Sequence, residues 1–598
     1  MRKILTLLMI LLFVAPVFSQ HKPEVINKTK MMVKLDNSNV TDNTPSVTHW
    51  PTITNRYAPA GTVPFPLNYN DYQTNGNNQR RLVVIGDTII VGADINADLG
   101  IPPSATVGRI YYQVSYNAGT TWETEALNIS PSVSLRWPNI SPVILSGSRS
   151  IVFTGRAYAT AQSGVSVVEA ILGLGSCQNY ITPNAYRDFF GYYKNSTTVG
   201  GIISASAGAA TDSLYYYNFN YVTGTYSGKV MIAPNLEASF RYYIAIANNG
   251  QNILASYWRS ATPQSLNVYE SVNGGTSFSA GTIIHQTGVV VGTDSTDTWF
   301  GADVAYKPGS STVKGMAFNT LGVTYNFPNQ YKVLYWNGSA LKVVCDWQKY
   351  YFLRDTASYP PVGQFYNHYV GQQVGMTYLS HPSLAWSDDG SILYCAFTAI
   401  QKDTSNFGGT YLNYNLNDVF ICWSTDEGNT WSNAYYVTNT TTRDELYPTL
   451  SKTGNTNTTF NIVYSESGSP GSFTFNDGAP PDTTYTVFKR INRNTLAMVP
   501  VGISQISTEV PGTFALSQNY PNPFNPTTKI NFAVSKVGYV SLKVYDITGK
   551  IVGDLVNQKL GVGTYEYQFN GQGLSSGIYF YTLKADGFSE TKKMMLIK

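Results

Sequence analysis

The stretch Pro382–Phe397, PSLAWSDDGSILYCAF, consists of two apolar runs separated by the polar turn Ser387-Asp-Asp-Gly390. Two short apolar runs joined by a polar turn that contains Gly predict a β-hairpin. The same pattern recurs along the chain about 61 residues apart on average, which is typical of a repeat architecture. The copies surround Gly86, Gly147, Gly208, Gly250, Gly309, Gly390 and Gly454, and the copy at Gly208 is the weakest.

Several units contain a second predicted hairpin between these glycines, as in IYYQVSYNAGTTW, LNVYESVNGGTSF, KVLYWNGSALK and DVFICWSTDEGNTW. Two hairpins form a sheet of four short antiparallel strands. Such a sheet cannot bury both of its faces alone, so the copies must stack around an axis. The chain is therefore predicted to be all-β, with a β-propeller over residues 80–500. Seven blades are favoured, and six stay open because of the weak copy at Gly208.

Composition agrees with this fold class and excludes several kinds of partner. The chain has 598 residues, of which 45 are Tyr and only 13% are charged, and its formal net charge is +3. So small an excess of positive charge gives no reason to expect a nucleic acid or an anionic membrane as partner. Four Cys are too few for a disulfide scaffold. Cys395 and Cys422 lie in neighbouring predicted strands and could pair, or they are two buried free thiols.

The N-terminus has the pattern of an export signal. Arg2 and Lys3 precede a mainly apolar run, Ile4–Val14, and small residues follow up to Ser19. This predicts a signal peptide at residues 1–19, followed by an N-terminal extension at 20–79. Because no later stretch approaches 18 apolar residues, no transmembrane segment is predicted.

Three of the second hairpins share one motif at the turn. It resembles the Asp-box, or BNR repeat, of sialidase-like propellers, in which these turns lie on the periphery and support the fold. Asp or Asn can accept backbone N–H groups, Gly can adopt positive φ, and the aromatic side chain is expected to pack between blades. The motif residues are Ser115, Asn117, Gly119 and Trp122; Ser271, Asn273, Gly275 and Phe278; and Ser424, Asp426, Gly428, Thr430 and Trp431.

The last 83 residues, 516–598, resemble the C-terminal sorting domain (type A) of type IX secretion cargo. The resemblance begins at a proline-rich motif consisting of Tyr520, Pro521, Asn522, Pro523, Phe524, Asn525 and Pro526. Alternating runs such as Tyr539–Tyr545 predict a small immunoglobulin-like β-sandwich, and residues 501–515 are predicted to be a linker. The resemblance implies Sec export to the periplasm, then handling by the type IX machinery. The cargo is then released or anchored at the surface of a Gram-negative, Bacteroidetes-like bacterium.

Sequence motifs for chemistry are scarce. Neither HExxH, G-x-S-x-G nor a P-loop occurs, and no metal or cofactor is predicted. The Arg-Ile-Pro motif of sialidase-like enzymes is also missing, and spacing does not select three of the candidate arginines Arg81, Arg136, Arg241, Arg259, Arg354 and Arg443. Arg443-Asp444-Glu445 precedes Tyr447-Pro448 and puts charge near a strand start, where central-pocket residues can lie, but a solvated loop face is the favoured interpretation. His381-Pro382 shares its register with Trp137-Pro138 and Tyr447-Pro448, which indicates a repeated structural position.

Two functions of different classes follow. The propeller either binds a glycan or another extracellular polymer without catalysis, which is favoured, or it is a glycoside hydrolase with an altered sialidase-like centre. Tyr and Trp supply flat apolar faces with a polar edge for the first function. Two carboxylates in a central pocket would favour the second.

Overall fold

The structure is a computed structural model of the whole chain. It describes residues 59–65, 80–95, 109–124, 126–129, 134–158, 162–173, 177–182, 189–206, 211–237, 242–259, 263–291, 294–322, 331–346, 379–404, 415–440, 442–468, 483–499, 504–507, 509–571 and 574–597. The predicted signal peptide lies outside these residues. Regular structure within them is β-strand, apart from one 3-10 turn at Arg493–Thr495. No helix in the described ranges is long and apolar enough to cross a membrane.

The strands are numbered in chain order. They are β1 (Leu82–Ile85), β2 (Thr88–Ile95), β3 (Arg109–Ser115), β4 (Leu127–Asn128), β5 (Ser134–Leu145), β6 (Ser148–Tyr158), β7 (Gln162–Glu169), β8 (Cys177–Ile181), β9 (Phe190–Asn195), β10 (Thr198–Ser206), β11 (Thr211–Asn220), β12 (Thr225–Glu237), β13 (Tyr242–Ile246), β14 (Ile253–Arg259), β15 (Ser265–Ser271), β16 (Thr282–Gln286), β17 (Val289–Val291), β18 (Asp294–Tyr306), β19 (Lys314–Gly322), β20 (Val333–Trp336), β21 (Leu341–Cys345), β22 (Leu379–Trp386), β23 (Leu393–Thr404), β24 (Asn415–Ser424), β25 (Tyr435–Tyr436), β26 (Asp444–Leu450), β27 (Thr459–Ser467), β28 (Tyr485–Asn492), β29 (Ser504–Ser507), β30 (Ala515–Leu516), β31 (Thr527–Val534), β32 (Gly538–Tyr545), β33 (Ile551–Leu560), β34 (Gly563–Asn570), β35 (Gly577–Ala585) and β36 (Phe588–Leu596).

The chain divides into two compact units. The first comprises Met1–Val344, Ser358–Trp431 and Val437–Asn492, and the second Cys345–Ala357, Ser432–Tyr436 and Arg493–Lys598. In the first unit the described residues form seven antiparallel sheets. β1–β4, β5–β8, β9–β12 and β13–β16 form the first four sheets, and β17–β21 the fifth. The sixth contains β22, β23 and β24 as neighbours, and β26–β28 form the seventh.

These sheets follow one another around an axis. The strands β1, β5, β9, β13, β18, β22 and β26 contact each other in that order, so they are the inner strands of their sheets. The first and seventh sheets also meet, because the Thr453 hydroxyl donates to the Val84 carbonyl at 2.7 Å and the Arg490 guanidinium donates to the Gly86 carbonyl at 3.1 Å. The described part of this unit is a β-propeller. Its number of blades stays a prediction.

A segment ahead of residue 80 completes the seventh sheet. Thr62 pairs antiparallel with Val487, and the Val63 amide donates to the Thr486 carbonyl at 2.8 Å. Part of the predicted N-terminal extension therefore pairs with the outer edge of β28 through an isolated bridge. Closure of a propeller by a strand from the other end of the chain removes an exposed sheet edge.

The hairpin repeat is confirmed at six of its seven glycines. Each of the six lies at positive φ in the turn between the inner strand of its sheet and the next strand; they are Gly86, Gly147, Gly250, Gly309, Gly390 and Gly454. The prediction at Gly208 is wrong. In the chain this residue comes between β10 and β11, the second and third strands of the third sheet, and the predicted hairpin joins the first and second strands. The turn that corresponds to the others is Asn195–Thr198, which has no Gly. Hydrophobic pattern alone cannot distinguish successive hairpins of one sheet.

The second unit contains two four-stranded antiparallel sheets, ordered β29-β34-β31-β30 and β33-β32-β35-β36. Alternate residues of both sheets, such as Ile530 and Leu542, point into one shared core. Part of the predicted linker, Ser504–Ser507, is β29 and pairs with β34. A four-residue edge strand is too short to show a hydrophobic period in the sequence.

Candidate functional site

The three turns predicted to be Asp-boxes follow the third strands of the first, fourth and sixth sheets. In the sixth, Asp426 Oδ1 accepts hydrogen bonds from the Ser424 hydroxyl at 2.8 Å and the Thr430 amide at 2.8 Å. Partial burial acts to raise the pKa of Asp426, but hydrogen bonds from the Thr430 hydroxyl and amide and from the Ser424 hydroxyl outweigh it and hold this pKa below its usual value. Asn117 and Asn273 take the same place in the other two turns. Since first and third strands run in the same direction, these turns lie at the end of the propeller where the inner strands end.

Each Asp-box turn packs on an aromatic ring of the preceding sheet. An added Cβ at Gly428 would lie 2.1 Å from the Tyr335 ring, and the Trp431 ring lies 5.3 Å from it between centroids. Gly275 and Phe278 contact Tyr216 in the same way, and Gly119 and Trp122 contact Phe488. The expected packing of the motif aromatics between sheets is thus present at all three turns.

The inner strands carry a bulge at the repeated residue–proline pair. The strand register shifts between Ser380 and Ser383 and between Leu446 and Thr449, and also around Trp137-Pro138. Proline lacks an N–H and interrupts the ladder at these points. The prediction that His381 occupies a repeated structural position is therefore confirmed. The His381 and Tyr447 rings pack together, 4.8 Å between centroids, and both residues have positive φ.

Next to this bulge, where the inner strands begin, four acidic side chains are buried. They are Asp418 on β24, Asp444 and Glu445 on β26, and Glu466 on β27. The interpretation of Arg443-Asp444-Glu445 as a solvated loop face was wrong, because Asp444 is 1% and Glu445 0% exposed. Their positions at the start of an inner strand, against a neighbouring sheet, explain the burial.

The acidic side chains have different partners. Asp444 Oδ1 accepts from the Asn417 amide and side-chain NH2, both at 2.8 Å. Glu445 accepts from the Thr440 hydroxyl at 2.8 Å and shares a side-chain hydrogen bond with Asp418. Burial, with Asp418 close by, raises the pKa of Glu445 well above its ordinary value. Two adjacent buried carboxyl groups can hydrogen-bond to each other only if one of them is protonated, and the raised pKa favours the protonated form of Glu445.

A cavity of about 350 Å³ lies at the opposite end, where the inner strands end. Residues from six of the seven sheets line it, which places it around the propeller axis. Among them are Ile85, Ile144, Tyr192, Tyr193, Asn248, Tyr306, Arg80, Arg149 and Lys452. The volume is within the range of small-molecule sites, and the mixture of apolar, aromatic and polar side chains is typical of them.

Two cations reach across the axis at the base of this cavity. The Arg80 guanidinium stacks on Tyr192, with Cζ 3.0 Å from the ring centroid, and donates to the Ile244 carbonyl at 3.4 Å. The Lys452 ammonium donates to Asp303 and to the Leu384 carbonyl. Asp303 Oδ2 also accepts from the Leu384 amide at 2.8 Å.

The other candidates from the sequence are dispersed. Arg81 is buried and donates to the Tyr447 carbonyl at 2.8 Å, while Arg443 Nε lies 3.7 Å from Glu466 Oε1. Arg259 ends β14 and is exposed; Arg241 and Arg354 lie outside the described residues, as does the side chain of Arg136. Arg80 was missed, because nothing in the sequence distinguishes it from its neighbour. No group of three or more His, Cys, Asp or Glu in the described ranges is placed to hold a metal.

Cys395 and Cys422 are directly opposite each other on β23 and β24. Both are fully buried, and they are free thiols in the structure. Cys177, which is partly exposed, and the buried Cys345 are free thiols as well. Burial, with Cys422 close by, raises the pKa of the Cys395 thiol well above its ordinary value. The thiolate is the reactive form, so this cysteine is poorly suited to nucleophilic chemistry.

In the second unit the proline-rich motif is bound along β36. Asn522 Oδ1 accepts from the Met595 amide at 2.9 Å, and Phe524 pairs with Leu596 and is buried in the sandwich core. Tyr520 pairs with Lys529, and its side chain is 80% exposed. Pro521, Pro523 and Asn525 are exposed. The Pro526 carbonyl accepts a hydrogen bond from the Gly571 amide at 2.8 Å.

Comparison with protein families identifies this unit. Residues 518–598 match the secretion system C-terminal sorting domain. The chain is therefore cargo of a type IX secretion system of the kind found in Bacteroidetes-like bacteria, which delivers proteins to the cell surface or outside. No curated protein matches the chain.

Solved structures similar to the chain include an ulvan lyase of polysaccharide lyase family PL25 (9% identity, 73% of this chain and 96% of that chain, TM-score 0.45). A Trypanosoma rangeli sialidase is 9% identical over 86% of this chain and 83% of its own, with a TM-score of 0.32. AofleA from Arthrobotrys oligospora is 10% identical over 59% and 83%, with a TM-score of 0.32. Likenesses at this level carry no argument about what this chain binds.

Proposed function

We propose that the propeller is a recognition module that binds a glycan or another extracellular polymer in the axial cavity, without catalysing its cleavage. The cavity carries this proposal, because it combines exposed apolar and aromatic faces (Ile144, Tyr193) with polar groups (Asn248). Flat aromatic faces and a few hydrogen-bonding groups are what sugar rings require. No Asp, Glu or His belongs to the described lining, and Asp303, next to Arg80 and Lys452, is held in an ion pair with Lys452, which argues against an acid–base pair there.

The route to the polymer is the second part of the proposal. Residues 1–19 direct the chain through the Sec pathway to the periplasm, and the sorting domain at 516–598 hands it to the type IX machinery. After crossing the outer membrane, the propeller meets polymers outside the cell. Recognition of an extracellular ligand is consistent with that destination.

Binding of the purified chain to a glycan array, with a parallel panel of glycosidase substrates, tests the proposal. Tyr193→Ala removes a ring that is 42% exposed in the cavity, and binding should fall about tenfold while the melting temperature stays unchanged. Tyr539→Ala, an exposed tyrosine of the second unit, is the matched control. Binding that is unaffected by Tyr193→Ala contradicts the location, and turnover of a substrate contradicts the absence of catalysis.

Glycoside hydrolysis is the second candidate function. The observation that favours it is the hydrogen-bonded carboxyl pair of Asp418 and Glu445, because a protonated carboxyl beside a carboxylate resembles a general acid beside a base. In the described residues both side chains are fully buried, which places the pair out of reach of a polymer. Loss of a measured turnover in Glu445→Gln, with folding intact, would reverse the order of the two proposals.

A further inference from the structure

The axial cavity has an excess of positive charge. Three of its lining side chains are cationic, Arg80, Lys452 and Arg149, and its described lining contains no carboxylate. Arg149 is exposed and donates to the Thr88 hydroxyl at 2.7 Å. The other lining side chains are uncharged, so a ligand in the cavity meets a positive field from the base and from one wall.

Hydrogen-bond donors of Arg80 are left over for a ligand. A guanidinium carries five N–H donors. In the described residues the Arg80 side chain uses one of them, on the Ile244 carbonyl at 3.4 Å, while the plane stacks on Tyr192. A stacked arginine is held in place, so it can present its remaining donors without losing side-chain entropy again.

The protein itself supplies too little negative charge at the base. Asp303 pairs with Lys452, and it is also the carboxylate that acts on Arg80. One carboxylate therefore faces two cations. Burial lowers the pKa of both Arg80 and Lys452, and Asp303 offsets this only in part. A further anion would balance the pair.

We propose that the cavity selects an anionic group, a carboxylate or a sulfate on a polymer, which is bound between Arg80, Lys452 and Arg149. The inference rests on the proposed function, since it names the ligand class of the same cavity. Tyr193 belongs to the same lining and is 42% exposed, so it provides a face for the sugar ring that carries the anion. Charge-assisted hydrogen bonds are the strongest polar contacts available for such recognition.

The test measures binding of the purified full chain to matched charged and neutral polymers. Polygalacturonate is compared with highly methyl-esterified pectin, and dextran sulfate with dextran, which separates carboxylate from sulfate. At least one acidic polymer should bind about tenfold or more tightly than its neutral match. Binding should weaken with added salt, because charges are screened over about 10 Å at 0.1 M and about 3 Å at 1 M salt.

Variants locate the effect. Arg149→Gln changes an exposed side chain, so folding should be intact, and affinity for the acidic polymer should fall about five- to tenfold. Lys452→Gln should lower it further, and Lys342→Gln, a half-buried lysine on β21 away from the cavity, should leave it unchanged. The expected result is loss of acidic binding with little change for the neutral match.

Each other outcome has a distinct meaning. Equal binding of acidic and neutral polymers, or an acidic affinity that Arg149→Gln leaves unchanged, overturns the anion selectivity and leaves polymer recognition standing. Binding of none of the four polymers, together with a silent glycan array, overturns polymer recognition and this inference with it.

Discussion

The Trp122 indole packs edge-on against the Phe488 ring, with centroids 5.9 Å apart and ring planes at 81°. Trp122 belongs to the Asp-box of the first sheet and Phe488 to the last strand before the end of the propeller, β28. The motif that repeats along the chain thus also joins the two ends of the propeller. Gly119 permits the contact, since its φ is 83° and an added Cβ would lie 2.7 Å from the Phe488 ring.

Gly119→Ala should therefore destabilise the propeller more than Gly86→Ala does. Both glycines have positive φ, which costs an L-residue about 1–2 kcal/mol. At Gly86 nothing lies within 4 Å of the added methyl, whereas at Gly119 the overlap with Phe488 adds about 1–3 kcal/mol. Urea unfolding of the two variants measures the difference. Equal losses of unfolding free energy in the two variants would show that the added methyl at Gly119 does not overlap with Phe488.

Asp426→Asn should be tolerated, and Asp426→Ala should not. Asn117 and Asn273 make the same turn, and the Asn117 side-chain NH2 donates to the Thr121 hydroxyl at 2.8 Å. An Asn at 426 can do the same to Thr430, so the expected loss is below about 1 kcal/mol. Ala leaves the Thr430 amide without this acceptor and should cost about 1–2 kcal/mol. Thermal melts decide, and a large loss in Asp426→Asn would contradict the equivalence of the three turns.

Glu445→Gln should stabilise the protein at neutral pH. The folded-state pKa of Glu445 is raised above 4.5, so its favourable contribution is complete below about pH 4.5 and is lost as the pH rises through the folded-state pKa. Gln keeps a donor for Asp418 and cannot ionise. The gain in melting temperature should grow with pH, and Glu123→Gln, an exposed glutamate, should show no such gain. A variant that melts earlier at pH 8 would contradict the protonated pair.

His285→Gln should make the protein less sensitive to acid. Burial lowers the pKa of His285 from 6.5 to about 4, and its Nε2 lies 2.9 Å from the Thr296 hydroxyl. Between these two pH values the unfolded chain binds a proton that the folded chain does not, so stability falls as the pH falls from about 6.5 to 4. The loss is about 3 kcal/mol. Unfolding free energies at pH 7 and 4 test this, and an unchanged pH slope in the variant would rule it out.

Removal of the sorting domain should separate folding from delivery. The deletion is best placed before Ser504, because β29 pairs with β34 and would lose its partner if only 516–598 were removed. The shortened chain should melt near the transition of the propeller in the full chain and stay in the periplasm. Surface labelling of intact cells and fractionation measure this. A shortened chain that reaches the surface would show that delivery does not need this domain.

The sequence predicts those parts of the molecule that depend on local chemistry. The turn glycines, the Asp-boxes and the proline bulge at His381 and Tyr447 are short-range patterns, so each is visible in a few consecutive residues. The pairing of Thr62 with Val487 follows the general principle that a closed ring of sheets covers its edges, but its residues could not be named from the sequence. A pairing of two or three residues is too short to show a hydrophobic period in the sequence.

The cavity could not be predicted, because its residues come from the ends of inner strands on six sheets. Arg80 and Lys452 lie far apart in the chain, and only the closed propeller brings both to Asp303. The burial of Asp444 and Glu445 could not be predicted from the sequence, for a related reason. A charged triplet at a strand start looks the same whether the next sheet covers it or solvent does.

The pairing of Thr62 with Val487 also governs when this protein can finish folding. The segment at Thr62 is synthesised before the strands of the propeller, and β28 is synthesised after β1–β27. Until both are present, β28 keeps an open row of N–H and C=O groups that another copy's N-terminal segment could occupy equally well. Exchange of this segment between two chains would give a dimer built from native contacts. A high local concentration of chains would favour closure with a neighbour's segment, and dilution would favour closure with the chain's own segment.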